Sequence, residues 1–131
     1  MKLALTTEYG FGPHELEDLI KKPESKRKCN GYSIMKLIDD KFNLNYYELT
    51  CWLPESAISG IKRFISSNPS KQINSIHAYA PLRSDFQIGN HPTDYYNLSS
   101  CNEKKRLFAV QNLNKTIQLA DELEARYVVV H

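Results

Sequence analysis

Two histidines close the two runs of this sequence that read most plainly as buried β-strands. His77 lies in Ile73-Asn74-Ser75-Ile76-His77-Ala78-Tyr79-Ala80-Pro81, and His131 ends Tyr127-Val128-Val129-Val130-His131. An imidazole can move a proton near neutral pH or ligate a metal, so either residue can do chemistry. Tyr79 follows His77 by two positions. On an extended strand it points to the same side, where it suits either contact with a bound molecule or packing over the mouth of the site. Glu48 stands near the end of a third run, Tyr46-Tyr47-Glu48-Leu49-Thr50, and Glu8 just after a fourth, Lys2-Leu3-Ala4-Leu5-Thr6. Moving a proton between carbons takes two carboxylates, so a lone Glu48 is better suited to orienting a neighbour than to acting as the base. Trp52 can stack on a ligand or pack at a rim, and His91, beside Pro92, reads as a surface turn residue.

The elements that would position these residues alternate. After the first strand, Pro13 opens a short helical stretch, His14 to Lys22. The run Lys21-Lys22-Pro23-Glu24-Ser25-Lys26-Arg27-Lys28 breaks it and reads as a solvated loop. A helix over 33–41 should bury Ile34, Leu37 and Ile38, and a second, from Pro54 to about Ser67, carries Ile58, Ile61 and Ile65 at helical spacing. The segment 81–99 has prolines, Gly89 and no sustained period, which makes it a long excursion at the carboxyl end of a strand. Ser100-Cys101-Asn102-Glu103 has the form of a capping box. The helix after it, to near Glu124, sets Leu107, Val110, Leu113, Ile117 and Ala120 on one face. A strand, a helix and a strand in sequence predict parallel pairing, hence an α/β fold with a parallel sheet. Ligands of such folds gather at the carboxyl ends of the strands, where both histidines fall.

Composition narrows the partners. At 131 residues the chain reads as one domain, with 41% hydrophobic and 24% charged residues, as in ordinary globular proteins. A net charge of +2 is too small to imply nucleic acid or a membrane surface, and no apolar run is long enough to span a bilayer or to form a signal peptide. Three dispersed cysteines, Cys29, Cys51 and Cys101, form no metal or disulfide framework and predict a cytoplasmic setting.

His77-Ala78-Tyr79, Tyr96-Asn97-Leu98-Ser99-Ser100, Glu103-Lys104-Lys105-Arg106, Ala120-Asp121-Glu122-Leu123 and Val128-Val129-Val130-His131 together resemble the xylose isomerase-like TIM barrel superfamily. That superfamily holds sugar and sugar-phosphate isomerases and epimerases and the endonuclease IV group. The resemblance covers the whole chain in layout and is specific from about residue 73 onward. It implies that residues 1–131 are one domain, the N-terminal half of a (β/α) barrel: its first four strands with their helices. The activity it implies is metal-assisted proton transfer next to a carbonyl, with a divalent ion (manganese, magnesium or zinc) as cofactor and a sugar or sugar phosphate as substrate. His77, Tyr79 and Glu48 would line the substrate pocket. Two alternatives stand beside it. In a zinc phosphodiesterase acting on apurinic DNA, His77 and His131 would be metal ligands. In a non-catalytic half-barrel, the chain would assemble with itself or with a missing half. On each of these readings the isolated 131-residue chain should turn over nothing, because two histidines cannot hold a catalytic metal, and if it ends at His131 it should not stay monomeric, because a half-barrel leaves two open sheet edges. One residue departs from the family pattern: Glu124 stands where glycine usually supplies a left-handed helix cap.

Overall fold

A computed structural model describes residues 4–6, 30–83 and 92–130. The helical stretch expected at His14–Lys22, the basic run Lys21–Lys28, and Glu8, His91 and His131 lie outside the described residues. The elements in order are β1 (Ala4–Thr6), α1 (Gly31–Phe42), β2 (Tyr46–Leu49), a 3-10 turn (Glu55–Ala57), α2 (Ile58–Ser67), β3 (Gln72–His77), the short α3 (Pro92–Tyr95), α4 (Glu103–Glu122) and β4 (Tyr127–Val129). The fold is α/β with a parallel sheet: β2 pairs with β3 and β3 with β4, with the backbone of β1 alongside β2.

One face of the sheet is closed by helices. Tyr47 and Leu49 of β2 and Ile73 and Ile76 of β3 pack with Met35 and Ile38 of α1, Ile61 and Phe64 of α2, and Leu119 and Ala120 of α4. Tyr47 meets the edge of Phe64 at 6.0 Å between ring centroids. The two first helices touch through glycines: a Cβ on Gly31 would strike the Ala57 carbonyl oxygen, and one on Gly60 would strike the Tyr32 nitrogen. No larger residue fits that crossing without moving a backbone.

Two expected helix faces are turned. α1 buries Gly31, Met35 and Ile38, whereas Leu37 is exposed. α4 buries Ala109, Asn112, Thr116, Leu119 and Ala120, and leaves Leu107 (53%), Val110 and Ile117 (49%) in solvent. Apart from Leu119 the buried side of α4 is made of alanines and of polar residues whose groups bond within the helix. Asn112 Nδ2 donates to the Phe108 carbonyl at 2.8 Å, and Thr116 Oγ1 to the Asn112 carbonyl at 3.4 Å. A polar side chain bonded this way can be buried at little cost.

The ends of α4 also differ in detail from the sequence reading. Asn102, rather than Ser100, is the cap, its side chain accepting from Lys105 N at 3.2 Å. At the other end Ala125 N donates to Ala120 O at 2.8 Å and Glu124 N to Asp121 O at 3.1 Å. Those two bonds make a Schellman turn, and Glu124 at its left-handed position has φ 52°. The departure from glycine noted in the sequence therefore falls on a residue whose backbone favours glycine.

At the amino end of β3 a polar lock ties α1 to the sheet. Lys71 is 8% exposed. Its Nζ donates to Asp39 Oδ1 (2.6 Å), Asn43 Oδ1 (3.1 Å) and the Leu44 carbonyl (3.0 Å). Tyr47 OH donates to the same Asp39 oxygen at 2.6 Å. All three ammonium donors thus have acceptors. Burial pushes the Asp39 carboxyl up, but the bonds from Lys71 and Tyr47 outweigh it and hold the carboxyl below its ordinary range. Burial, then Asp39, pushes the Tyr47 phenol well above its ordinary value.

Candidate functional site

The opposite face of the sheet carries the polar residues. In register, Glu48 of β2 stands beside Ser75 of β3, Ser75 beside Tyr127 of β4, and His77 beside Val129. The register slips between Tyr47 and Glu48: Tyr47 pairs with Ile73 but Glu48 pairs with Ser75, so Asn74 is an extra residue in β3. A bulge re-aims the residues after it. It keeps Ile73 and Ile76, three positions apart, both in the helix-side core, and sets Ser75 across from Glu48.

Glu48 then serves two partners with its two oxygens. His77 Nε2 lies 3.0 Å from Oε1, and Ser75 Oγ donates to Oε2 at 2.7 Å. Ser75 is buried, whereas the His77 and Glu48 side chains are 22% and 31% exposed. The hydroxyl anchors the carboxylate from within, and the carboxylate anchors the imidazole at the surface. With its proton on Nε2 directed at Glu48, the neutral ring has Nδ1 as its basic nitrogen. The serine is bonded to the acid and not to the imidazole, so this is no arrangement for activating a serine nucleophile. It is one for holding an imidazole in a fixed orientation and tautomer at the carboxyl end of two adjacent strands.

The structure thus brings His77 and Glu48 together, with Glu48 orienting a neighbour. It sets Tyr79 elsewhere. β3 ends at His77, so strand alternation does not carry two residues further. Tyr79 is 2% exposed, in a second apolar cluster with Cys51, Trp52, Ala78, Leu82, Tyr96 and Ala109. Its ring lies 4.9 Å from that of Tyr96, and burial pushes its phenol pKa up. Trp52 packs in the same cluster. Ser75 was not singled out by the sequence. A serine in a strand carries no signal by itself, and only the bulge brings it to Glu48.

No group of three or more His, Cys, Asp or Glu side chains that could hold a metal occurs among the described residues. Glu48 and His77 are two potential ligands already bonded to each other, and a catalytic ion takes about three protein ligands. A metal at this face would need further ligands from beyond the described residues. Cys51 is buried and Cys101 exposed, and among the described residues no helix is long and apolar enough to cross a membrane. Comparison of the chain with family models, with curated proteins and with solved structures gives no match.

Proposed function

We propose that this chain supplies the first four strands of a xylose isomerase-like (β/α) barrel, and that the open face of its sheet is one wall of a sugar or sugar-phosphate site. The reaction would be proton transfer next to a carbonyl. The observation that carries this reading is the bond between Glu48 and His77 from neighbouring parallel strands, at the carboxyl end where α/β folds bind ligands. An imidazole so fixed can exchange a proton, or share a hydrogen bond, with a substrate oxygen as an enediolate forms. A divalent ion bound with the help of other residues would polarise the carbonyl. The setting would be cytoplasmic.

The barrel reading also accounts for the apolar surface. Leu107, Val110 and Ile117 of α4 are exposed, as are Tyr127 of β4 and the adjoining Val130. In a closed barrel each helix and strand has neighbours on both sides. A further β/α unit beside β4, from more chain, a second copy or a partner, would cover them.

The test is to titrate the protein with a ketose phosphate, and separately with an abasic-site oligonucleotide plus zinc, following the His77 ring by NMR. Saturable shifts with the ketose phosphate, lost in His77→Gln, support the proposal. Shifts with the oligonucleotide alone would reassign His77 to a phosphodiesterase centre and overturn it.

A further inference from the structure

A second site stands apart from the open sheet face and shares no residue with it. Between the end of the excursion that follows β3 and the first turns of α4, a cavity of about 420 Å³ is lined by Asp94, Tyr95, Asn97, Ser100, Lys105 and Phe108. That volume is within the range that takes a small ligand. Its aromatic wall is continuous with the second apolar cluster. Phe108 stacks on Tyr96 at 5.6 Å, and Tyr95 stands edge-on to Tyr96 at 4.9 Å and to Phe108 at 5.9 Å. These contacts fix the rings, while Tyr95 stays 37% exposed.

The polar wall is held in place as well. Asn97 Oδ1 accepts from Ser99 N and Ser99 Oγ at 2.9 and 2.8 Å, which leaves its amide NH2 as the part able to bind a ligand. Ser100 Oγ accepts from Asn102 N at 3.2 Å and keeps its own proton to donate, and its carbonyl accepts from Arg106 at 3.1 Å. The two charged groups on the lining, Asp94 and Lys105, make no ion pair among the described residues. Arg83 lies over the Phe108 ring at 5.7 Å, and Lys104 and Arg106 flank Lys105 in the sequence, with Glu103 two positions before it.

We propose that this cavity binds a phosphorylated sugar. A carboxylate and an ammonium on one small cavity ask for a ligand with hydroxyls for the first and an anion for the second. Asp94 and the Asn97 amide suit vicinal hydroxyls, Lys105 and the Ser100 hydroxyl suit a phosphomonoester, and the exposed Tyr95 ring suits the apolar face of a sugar. An inorganic anion would leave Asp94 and Tyr95 unused, and a neutral sugar would leave Lys105 unused.

The experiment is an NMR titration of the full chain with ribose 5-phosphate, ribose, inorganic phosphate and adenosine monophosphate, read at Tyr95, Asn97 and Phe108. Ribose 5-phosphate should give saturable shifts there, with an affinity at least about tenfold above that of ribose or of phosphate. Lys105→Gln, a change at an exposed position, should weaken it by about tenfold or more. The His77 and Glu48 signals report the sheet-face site separately, so failure at one site is distinguishable from failure at the other. No saturable shift, equal binding of inorganic phosphate, or an affinity unchanged in Lys105→Gln would overturn the proposal. Tighter binding of adenosine monophosphate than of ribose 5-phosphate would make Tyr95 a platform for a base and overturn the sugar assignment.

Discussion

The two ends of β3 hold two polar clusters built from similar parts and put to opposite uses. At the amino end, Lys71, Asp39, Asn43 and Tyr47 meet on the helix side, and the Lys71 ammonium has three acceptors. At the carboxyl end, Glu48, Ser75 and His77 meet on the other face, where the carboxylate is bonded from below and the imidazole reaches the surface. The first cluster joins α1, the loop after it, β2 and the residue that leads into β3, so its removal separates elements. The second joins only neighbouring strands that the sheet already holds together. A saturated, buried cluster secures the fold, and a cluster whose imidazole and carboxylate are both partly exposed can meet a ligand. In parallel barrels the same division runs between the amino and carboxyl faces.

The largest effect should come from breaking the amino-end lock. Lys71→Met leaves Asp39 half-buried without its cation, and unfolding by denaturant should show a loss of about 3 kcal/mol. The ring signals of His77 should stay where they are. Acid should act on the same cluster. Because the Asp39 carboxyl sits below its ordinary range in the folded state, its contribution is fully present above its unfolded pKa of about 4 and is lost as pH falls through the lower folded value. Stability measured from pH 6 downward should therefore decline over that window, and the decline should be shallower in Asp39→Asn.

Ser75→Ala probes the other cluster. It deprives Glu48 Oε2 of its donor and should cost about 1 kcal/mol in stability. Its larger signature should be spectroscopic, in a weakened preference of the neutral His77 ring for a proton on Nε2, read from the ring 15N shifts. A control that belongs to neither cluster should raise stability: Glu124→Gly relieves a left-handed backbone at the Schellman turn and should add up to about 1 kcal/mol in the same denaturant measurement. If it also moved the His77 signals, the two ends would not be independent.

What the sequence made legible follows from what each signal measures. Helical spacing and β-rich runs located α1, α2, α4 and the strands, because periodicity reports local structure. It misread which sides of α1 and α4 are buried, because a count of large apolar residues favours Leu37, Leu107 and Ile117. Close packing instead takes Gly31 at the helix crossing and Ala109 and Thr116 on α4. His77 and Glu48 stood out by type and strand-end position. Their bond could not be read, since it depends on strand adjacency and on the bulge at Asn74. Tyr79 was misplaced by assuming that β3 continues past His77. The Lys71 lock left no trace, because its members come from positions 39, 43, 47 and 71, which only the fold brings together.

The most direct test measures unfolding free energy and ketose-phosphate binding on the same two variants, Lys71→Met and His77→Gln. Lys71→Met should lose stability yet bind normally, under conditions where it remains folded. His77→Gln should change stability by less than about 1 kcal/mol, as expected for a partly exposed pair, and should lose binding. If His77→Gln unfolded the protein while Lys71→Met abolished binding in a folded molecule, the roles assigned to the two clusters would be reversed.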